Sequence, residues 1–171
     1  GDLYYYGDAN PHYNFGLNLG ATWKNFDISA FIQGVAKWDI LRTGNARAPF
    51  FRNYLNVNTS YIGKTWTPQN PNAEYPRLSF DSNINNWNWQ YNDANVQNAA
   101  YARLKSIILG YTLPASFAGK ISAQKCRIYF SGTDLFTLTS IKDGFDPERG
   151  ESSDSSYPFA RTWSFGLDIT F

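Results

Sequence analysis

The chain has 171 residues, which is enough for one domain. Its 15 Lys and Arg residues nearly balance 14 Asp and Glu residues, so charge gives no reason to expect a nucleic-acid partner. The single cysteine, Cys126, excludes an internal disulfide framework. No apolar run reaches the roughly 20 residues that a transmembrane helix needs, and no signal peptide is visible. Strands of a membrane barrel need only about 9–11 alternating residues and would escape such a search.

Residues 1–11 have the composition of a loop, and alternation of apolar and polar residues then predicts a strand over 12–23. Its apolar face has aromatic side chains at both ends and aliphatic ones between them. That arrangement is typical of a barrel strand whose aromatic girdles lie at two water interfaces. Further alternating segments predict strands over 26–40, 100–113, 123–139 and 157–171.

The closing strand alternates most regularly of all. Its large apolar residues are Trp163, Phe165, Leu167, Ile169 and Phe171. Small or polar residues stand between them, so one face of the strand is apolar and the other is wettable. Such a strand suits an outer-membrane barrel, which meets lipid outside and a polar lumen inside. A soluble β-sandwich also alternates and is the competing interpretation.

One strand departs from regular alternation. Arg103 and Lys105 fall on the same side as Ile107 in the segment 100–113. Two explanations fit: the two cations lie above the bilayer, or a β-bulge switches the register.

The lengths of the connections follow the rule for outer-membrane barrels. The long segments 41–99 and 140–156 alternate with the short turns at 24–25 and 114–122. If the C-terminus is periplasmic, both long segments are extracellular loops and both short ones are periplasmic turns. A structureless loop as long as 41–99 would be unusual in a compact soluble domain.

Five strands are too few to close a membrane barrel, since known barrels begin at eight. An open sheet would leave unpaired backbone edges in lipid. We therefore expect this chain to be part of a larger all-β object, with its two edges paired to another segment or chain.

A set of motifs occurs in a fixed order along nearly the whole chain. They are Asn10–Gly16, Phe26–Ser29 with Gln33–Val35, Trp66–Pro71 with Pro76–Arg77, Tyr101–Pro114, Asp134–Thr137, Gly144–Glu148, and Tyr157–Pro158 with Arg161–Thr162 through Phe171. Each motif alone is weak, but the ordered set resembles the C-terminal part of the SusC/RagA-like TonB-dependent outer-membrane transporters. Ser106, Asp134 and Ile108 depart from that pattern, where the family usually has Asn, Asn and often Thr.

The resemblance implies a transmembrane barrel of roughly 22 strands with a plugged lumen. This chain would supply the last five antiparallel strands, and the plug domain would lie N-terminal and outside it. The implied function is active import of nutrients, oligosaccharides above all or peptides, across the outer membrane of a Gram-negative bacterium. The implied partners are the rest of the barrel with its plug, a SusD-like surface lipoprotein, the TonB complex, membrane lipid and the cargo.

Within the long loops, Trp87 and Trp89 with the neighbouring Asn86 are the best candidates for contact with cargo or partner. An indole offers apolar area and a hydrogen-bond donor, which suits sugar rings. The alternative is that these residues pack the loop on the barrel rim or against the lipoprotein.

Four acidic residues in the second long loop are candidates for calcium: Asp143, Asp146, Glu148 and Glu151. Their spacing does not match an EF-hand, so we assign no metal site, and Ca²⁺ is at most a cofactor of the wider complex. A solvated loop is the simpler interpretation.

No catalytic residue is assigned. A Ser-His-Asp triad would have to use His12, the only histidine. A secreted glycosidase lacks a placed acid–base pair. The alternating aromatic residues that end in Phe171 also resemble the signal that outer-membrane assembly machinery reads on barrel proteins. A transporter segment is therefore the leading hypothesis, and a soluble carbohydrate-binding β-sandwich is the alternative.

Overall fold

The computed structural model describes residues 4–50, 57, 59–149, 157 and 159–171. These divide into two compact units. The first, here called the sheet unit, takes residues from 12–36, 101–139 and 159–171; the second, the loop unit, takes them from 1–11, 37–100 and 140–158.

Seven strands occur in the described residues. In chain order they are β1 (His12–Trp23), β2 (Phe26–Lys37), β3 (Asp39–Leu41), β4 (Val96–Asn98), β5 (Tyr101–Thr112), β6 (Lys125–Thr139) and β7 (Thr162–Thr170). Five of them form one antiparallel sheet in the order β1-β2-β5-β6-β7, and β3 pairs with β4 in a separate two-stranded sheet. The all-β fold class is thus confirmed, and the five-stranded sheet is open.

The sheet has one apolar and one polar face, because paired residues of neighbouring strands project to the same side. Leu109 pairs with Phe130, which pairs with Phe165, and all three lie on the apolar face. On the opposite face Ser131 pairs with both Ile108 and Ser164. Sequence alternation therefore carries through three adjacent strands in register.

A β-bulge interrupts this register. Ser106 of β5 pairs with Thr133 and Leu104 pairs with Phe136, so that the one residue between them on β5, Lys105, lies opposite two residues of β6, Asp134 and Leu135. Asp134 has a φ of 53°, in the left-handed region. After the bulge Arg103 pairs with Thr137 on the polar face. Of the two explanations for the cations in this strand, the bulge is confirmed.

The predicted strand over 26–40 is too long. β2 ends at Lys37, and Asp39–Leu41 instead pairs with Val96–Asn98. The backbone N–H of Asp39 also donates to the carbonyl of Asp8 at 3.0 Å. Alternation has the same period in either sheet, so the pattern could not show the change of partner.

β1 has the predicted bounds, whereas the last three strands begin later or end sooner than predicted. β5 covers Tyr101–Thr112, β6 begins at Lys125, and β7 runs from Thr162 to Thr170. The turn between β5 and β6 contains a short helix, Ala115–Ala118, and a 3₁₀ turn, Gly119–Ile121. Leu113 N–H donates to the carbonyl of Cys126 at 2.8 Å, just beyond the strand end.

The segment 41–99 is not structureless where it is described. It holds α1 (Gly44–Arg47), α2 (Ser82–Asn88) and 3₁₀ turns at Thr59–Tyr61 and Asp93–Asn95; the helix Ala115–Ala118 is α3. α2 begins where the Asp81 carboxylate accepts the backbone N–H groups of Asn83 and Ile84, at 2.8 and 3.4 Å. This is an N-cap, which stabilises a helix start by about 1 kcal/mol.

The loop unit has a small aromatic core. Ala48, Tyr61 and Trp89 are buried, and Val57 and Tyr75 pack against them. No helix in the described part of the chain is long and apolar enough to cross a membrane.

Candidate functional site

The apolar face of β7 consists of exposed large side chains. Trp163, Phe165, Leu167, Ile169 and, just past the strand, Phe171 are all exposed. The Phe130 ring of β6 lies 5.3 Å from the ring of Phe165 and 5.8 Å from that of Trp163. A contiguous apolar surface of this kind marks contact with lipid or protein.

The polar face carries a ladder of charges across four strands. The Arg127 guanidinium of β6 reaches Asp27 of β2 at 2.6 and 2.9 Å, and Asp168 of β7 at 3.0 Å. It passes over Gly110 of β5, where an added Cβ would meet both Arg127 and Asp27. Two opposed carboxylates on one guanidinium hold the four strands together on this face.

A second charged cluster lies at the bulge. Lys105 Nζ is 2.8 Å from Asp134 Oδ1, and Arg103 Nε donates to Thr137 Oγ1 at 2.9 Å. The Phe159 ring lies under both cations, 5.1 Å from Lys105 Nζ and 5.5 Å from Arg103 Cζ. The bulge therefore converts two cations that alternation had placed on the apolar side into a paired group on the polar face.

The loop unit contains a buried ion pair. Arg42 and Asp143 have side chains only 2% and 6% exposed, and they form two bonds of 2.6 and 2.9 Å. Gln97 Nε2 donates to the same carboxylate at 2.9 Å, and the Phe145 ring lies 4.7 Å from Arg42 Cζ. The pair joins the segment 37–100 to the segment 140–158.

The calcium candidates that the structure describes do not converge on one point. Asp143 is engaged by Arg42 and Gln97, while Asp146 accepts the backbone N–H of Glu148 at 2.9 Å. Glu151 lies outside the described residues. Within the described ranges no group of three or more His, Cys, Asp or Glu side chains could hold a metal ion. Calcium binding in a wider complex stays a prediction.

The two tryptophans of the first long loop lie in contrasting environments. Trp87, in α2, is 75% exposed, whereas Trp89, just beyond the helix, is 3% exposed. The Trp89 indole stacks on Tyr75 at 6.1 Å and meets the edge of Tyr61 at 5.5 Å. Asn86 is exposed and, with Trp89, borders an open cleft of about 420 Å³. Trp87 is thus a surface residue, whereas Trp89 packs in the core of the loop unit.

Burial also perturbs two tyrosines of this core. It raises the pKa of Tyr61 well above its usual value, and the neighbouring Tyr75 hydroxyl adds to the shift. Burial likewise raises the pKa of Tyr75, with a further contribution from the Glu74 carboxylate.

A second cavity of about 310 Å³ lies beside the aromatic core. Its lining includes Trp66, Tyr75, Arg77 and Trp89. Sequence reasoning missed it, although Trp66 and Arg77 stand in one of the quoted motifs. The turn signals between them were the available clue: Thr67 and Asn70 bond to each other, and Trp66 N–H donates to the carbonyl of Tyr75 at 2.9 Å.

Two curated proteins are similar to the chain over nearly its whole length. TonB-dependent receptor P3 of Formosa agariphila is 30% identical, and TonB-dependent receptor P26 of the same organism is 27% identical, each over 96% of the chain. The chain spans 17% of the length of each relative. No family model matches the chain.

Solved structures agree. The RagAB peptide transporter superposes with a TM-score of 0.72 at 26% identity, and the RagAB peptide importer in its "open-open" state with 0.71 at 25%. In both, 96% of this chain is covered and 18% of the compared chain. The ordered motifs, the two-faced antiparallel sheet and these similarities agree, and the chain belongs to the SusC/RagA-like TonB-dependent outer-membrane transporters, where it corresponds to the C-terminal part.

Proposed function

We propose that the chain forms the closing wall and two outer loops of an active nutrient importer in the outer membrane of a Gram-negative bacterium. The observation that carries this proposal is the five-stranded sheet, apolar on one face and polar on the other, in a chain similar to TonB-dependent receptors over 96% of its length. The apolar face would meet lipid and the polar face the lumen. The sheet's outer strands β1 and β7 would pair with the rest of the barrel.

The sheet supports one orientation of the chain in the membrane. Both long connections leave it at the end formed by Lys37, Tyr101, Thr139 and Thr162, while both short turns leave at the other end. Outer-membrane barrels have longer extracellular loops and shorter periplasmic turns. The residues 41–99 and 140–156 would then be extracellular, and the C-terminus periplasmic.

The family supports a set of partners for the whole transporter. A plug and the TonB complex would energise transport from outside this chain, and a SusD-like surface lipoprotein would help to capture cargo. The similarity to a peptide importer named as a two-part assembly, RagAB, supports a paired partner. The exposed side chains of Trp87 and Asn86 are the residues that we assign to contact with this lipoprotein or with cargo.

The cargo would be an oligosaccharide or a peptide. Loop aromatics and amides suit sugar rings, whereas the solved relatives are named for peptide. Binding and translocation need no catalytic group, and the relatives are named as receptors and transporters rather than enzymes.

The test uses the whole transporter that contains this chain. Cells expressing it should accumulate labelled oligosaccharides or short peptides, and an uncoupler of the proton-motive force should abolish the accumulation. In detergent the chain should migrate within a large heat-modifiable barrel, together with a lipoprotein. A 19.4 kDa species that stays folded and monodisperse without detergent would instead support the soluble sugar-binding β-sandwich.

A further inference from the structure

The cavity beside Trp66 has an aromatic wall. Trp66, Tyr75 and Trp89 all line it, and at about 310 Å³ it lies at the small end of the range for ligand pockets. Trp66 is part-exposed, while the stacked pair of Tyr75 and Trp89 is fixed by the core of the loop unit. A flat apolar wall on a fixed support is suited to one ring of a ligand.

The lining of the same cavity includes two donor groups without an acceptor among the described residues. The Arg77 guanidinium is exposed and forms no ion pair with any described residue. The Trp89 indole Nε1 is buried and has no hydrogen-bond partner among the described residues. Because that atom is buried, a ligand in the cavity would meet the Arg77 guanidinium rather than the indole N–H.

The acidic residue of the lining is already engaged. Glu74 Oε2 is 3.5 Å from Lys64 Nζ, and the Glu74 carboxylate contributes to the raised pKa of Tyr75. Three asparagines complete the polar part of the lining, at positions 88, 92 and 95. Of these, Asn88 Nδ2 donates to the Arg77 carbonyl at 3.2 Å, and Asn95 Oδ1 accepts the Asn92 N–H at 3.1 Å. The charge left for a ligand is therefore the positive one on Arg77.

We propose that this cavity is a subsite for an acidic sugar, that is, one pyranose ring carrying a carboxylate. The carboxylate would pair with the Arg77 guanidinium, whose fork matches carboxylate geometry. The apolar face of the ring would rest on Trp66, and the asparagine amides would meet its hydroxyls. This inference rests on the proposed importer function and names one class of its cargo.

The experiment compares sugars that differ only at one carbon. The full transporter in detergent is titrated with D-glucuronate and D-galacturonate, and in parallel with D-glucose and D-galactose, which lack the carboxylate. N-acetylleucine supplies a carboxylate without a sugar ring. At least one uronate should bind, and about ten-fold more tightly than its parent hexose and than N-acetylleucine, because one charge-assisted hydrogen-bonded pair contributes about that factor.

Variants connect binding to the cavity. Arg77→Gln should lose about ten-fold in uronate affinity, and Trp66→Ala should weaken the uronate and the hexose alike. Lys142→Gln removes an exposed cation of the same unit outside the cavity lining and should bind as the wild type does. Because Arg77 and Trp66 lie at least partly in solvent, folding should survive, as unchanged heat-modifiable migration would confirm.

Several results would overturn the inference. They are no uronate binding, equal binding of uronate and hexose, tighter binding of N-acetylleucine, or an Arg77→Gln affinity equal to that of Lys142→Gln. Energised uptake of another nutrient by the same protein would then show that the subsite alone had failed and the importer function stood. Loss of all energised uptake would instead defeat the proposed function.

Discussion

Replacing Asp143 with alanine should open the loop unit. The Asp143 carboxylate neutralises Arg42, accepts two of its N–H groups at 2.6 and 2.9 Å, and accepts a third bond from Gln97. Arg42 is buried against the Phe145 ring. In the variant its charge would remain buried without its counterion.

The magnitude follows from this burial. Removing one partner of a buried ion pair costs about 3–5 kcal/mol, because the other charge is left uncompensated. If this loss lowers the free energy of local opening of the loop unit by the same amount, amide exchange should become faster by roughly two to three and a half orders of magnitude. The effect should appear at Arg42, whose N–H donates to the Asn95 carbonyl at 2.9 Å, and in β3 and β4.

Hydrogen exchange followed by mass spectrometry on the detergent-solubilised transporter measures this. The matched control is Glu74→Ala, since the Lys64–Glu74 pair of the same unit has a length of 3.5 Å and side chains 46% and 47% exposed. An exposed pair contributes only about 0–1 kcal/mol. A double variant, Arg42→Met with Asp143→Leu, should recover most of the protection because no charge is left buried.

One result would refute this reasoning: Asp143→Ala exchanging no faster than Glu74→Ala in the peptides that cover β3 and β4. It would mean that the charge of Arg42 is satisfied without its carboxylate partner. Failure of the double variant to recover would show instead that the geometry of the pair, rather than its charge balance, holds the two segments.

Three further variants test other parts of the molecule. Gly34→Ala should reduce the yield of the folded, heat-modifiable form on electrophoresis, because the added methyl would meet the carbonyl oxygen of Tyr101. Gly119→Ala is the control, since open space surrounds that position. Equal yields of the two variants would contradict the close approach at Gly34. Tyr61→Phe should lessen the fall in thermal stability between pH 9 and pH 11. Unfolded tyrosine ionises near about pH 10, while burial raises the pKa of Tyr61 in the folded state, so stability is complete below that pH and is lost above it; an unchanged pH profile would count against this. Deletion of Phe171 should lower the amount of transporter in the membrane more than transport per molecule, and an equal loss of both would disprove the assembly role.

The sheet was largely predictable from the sequence because its strands have two different faces. Alternation in 12–23 and around Phe165 requires only that one side be apolar, and the register then follows from pairing like faces. The separate pairing of β3 could not be predicted, since its three residues continue the period of β2. In the sequence, the bulge at Lys105 was visible only as a break in alternation. The residues opposite it, Asp134 and Leu135, belong to another strand, and Asp134 pairs with Lys105.

The candidate site was less predictable because its parts come from distant positions. The sequence placed Trp87 and Trp89 together, yet the end of α2 turns one outward and the other into the core. The sequence predicted a solvated loop around Asp143, because its ion-pair partner Arg42 is 101 residues away. Arg77 stands in the same quoted motif as Trp66, but only the structure shows that the two side chains line one cavity.

The charge ladder on the polar face depends on one glycine. A long guanidinium that stood upright would project from the sheet, but Arg127 lies across β5 because Gly110 leaves room for it. Lying flat, it reaches Asp27 on one side and Asp168 on the other, and so links strands that do not neighbour each other. A side chain at position 110 would force the guanidinium away from the sheet and shorten its reach. Glycine at position 110 is therefore required by the cross-strand ion pairs, and the guanidinium that makes them projects little from the polar face of the sheet.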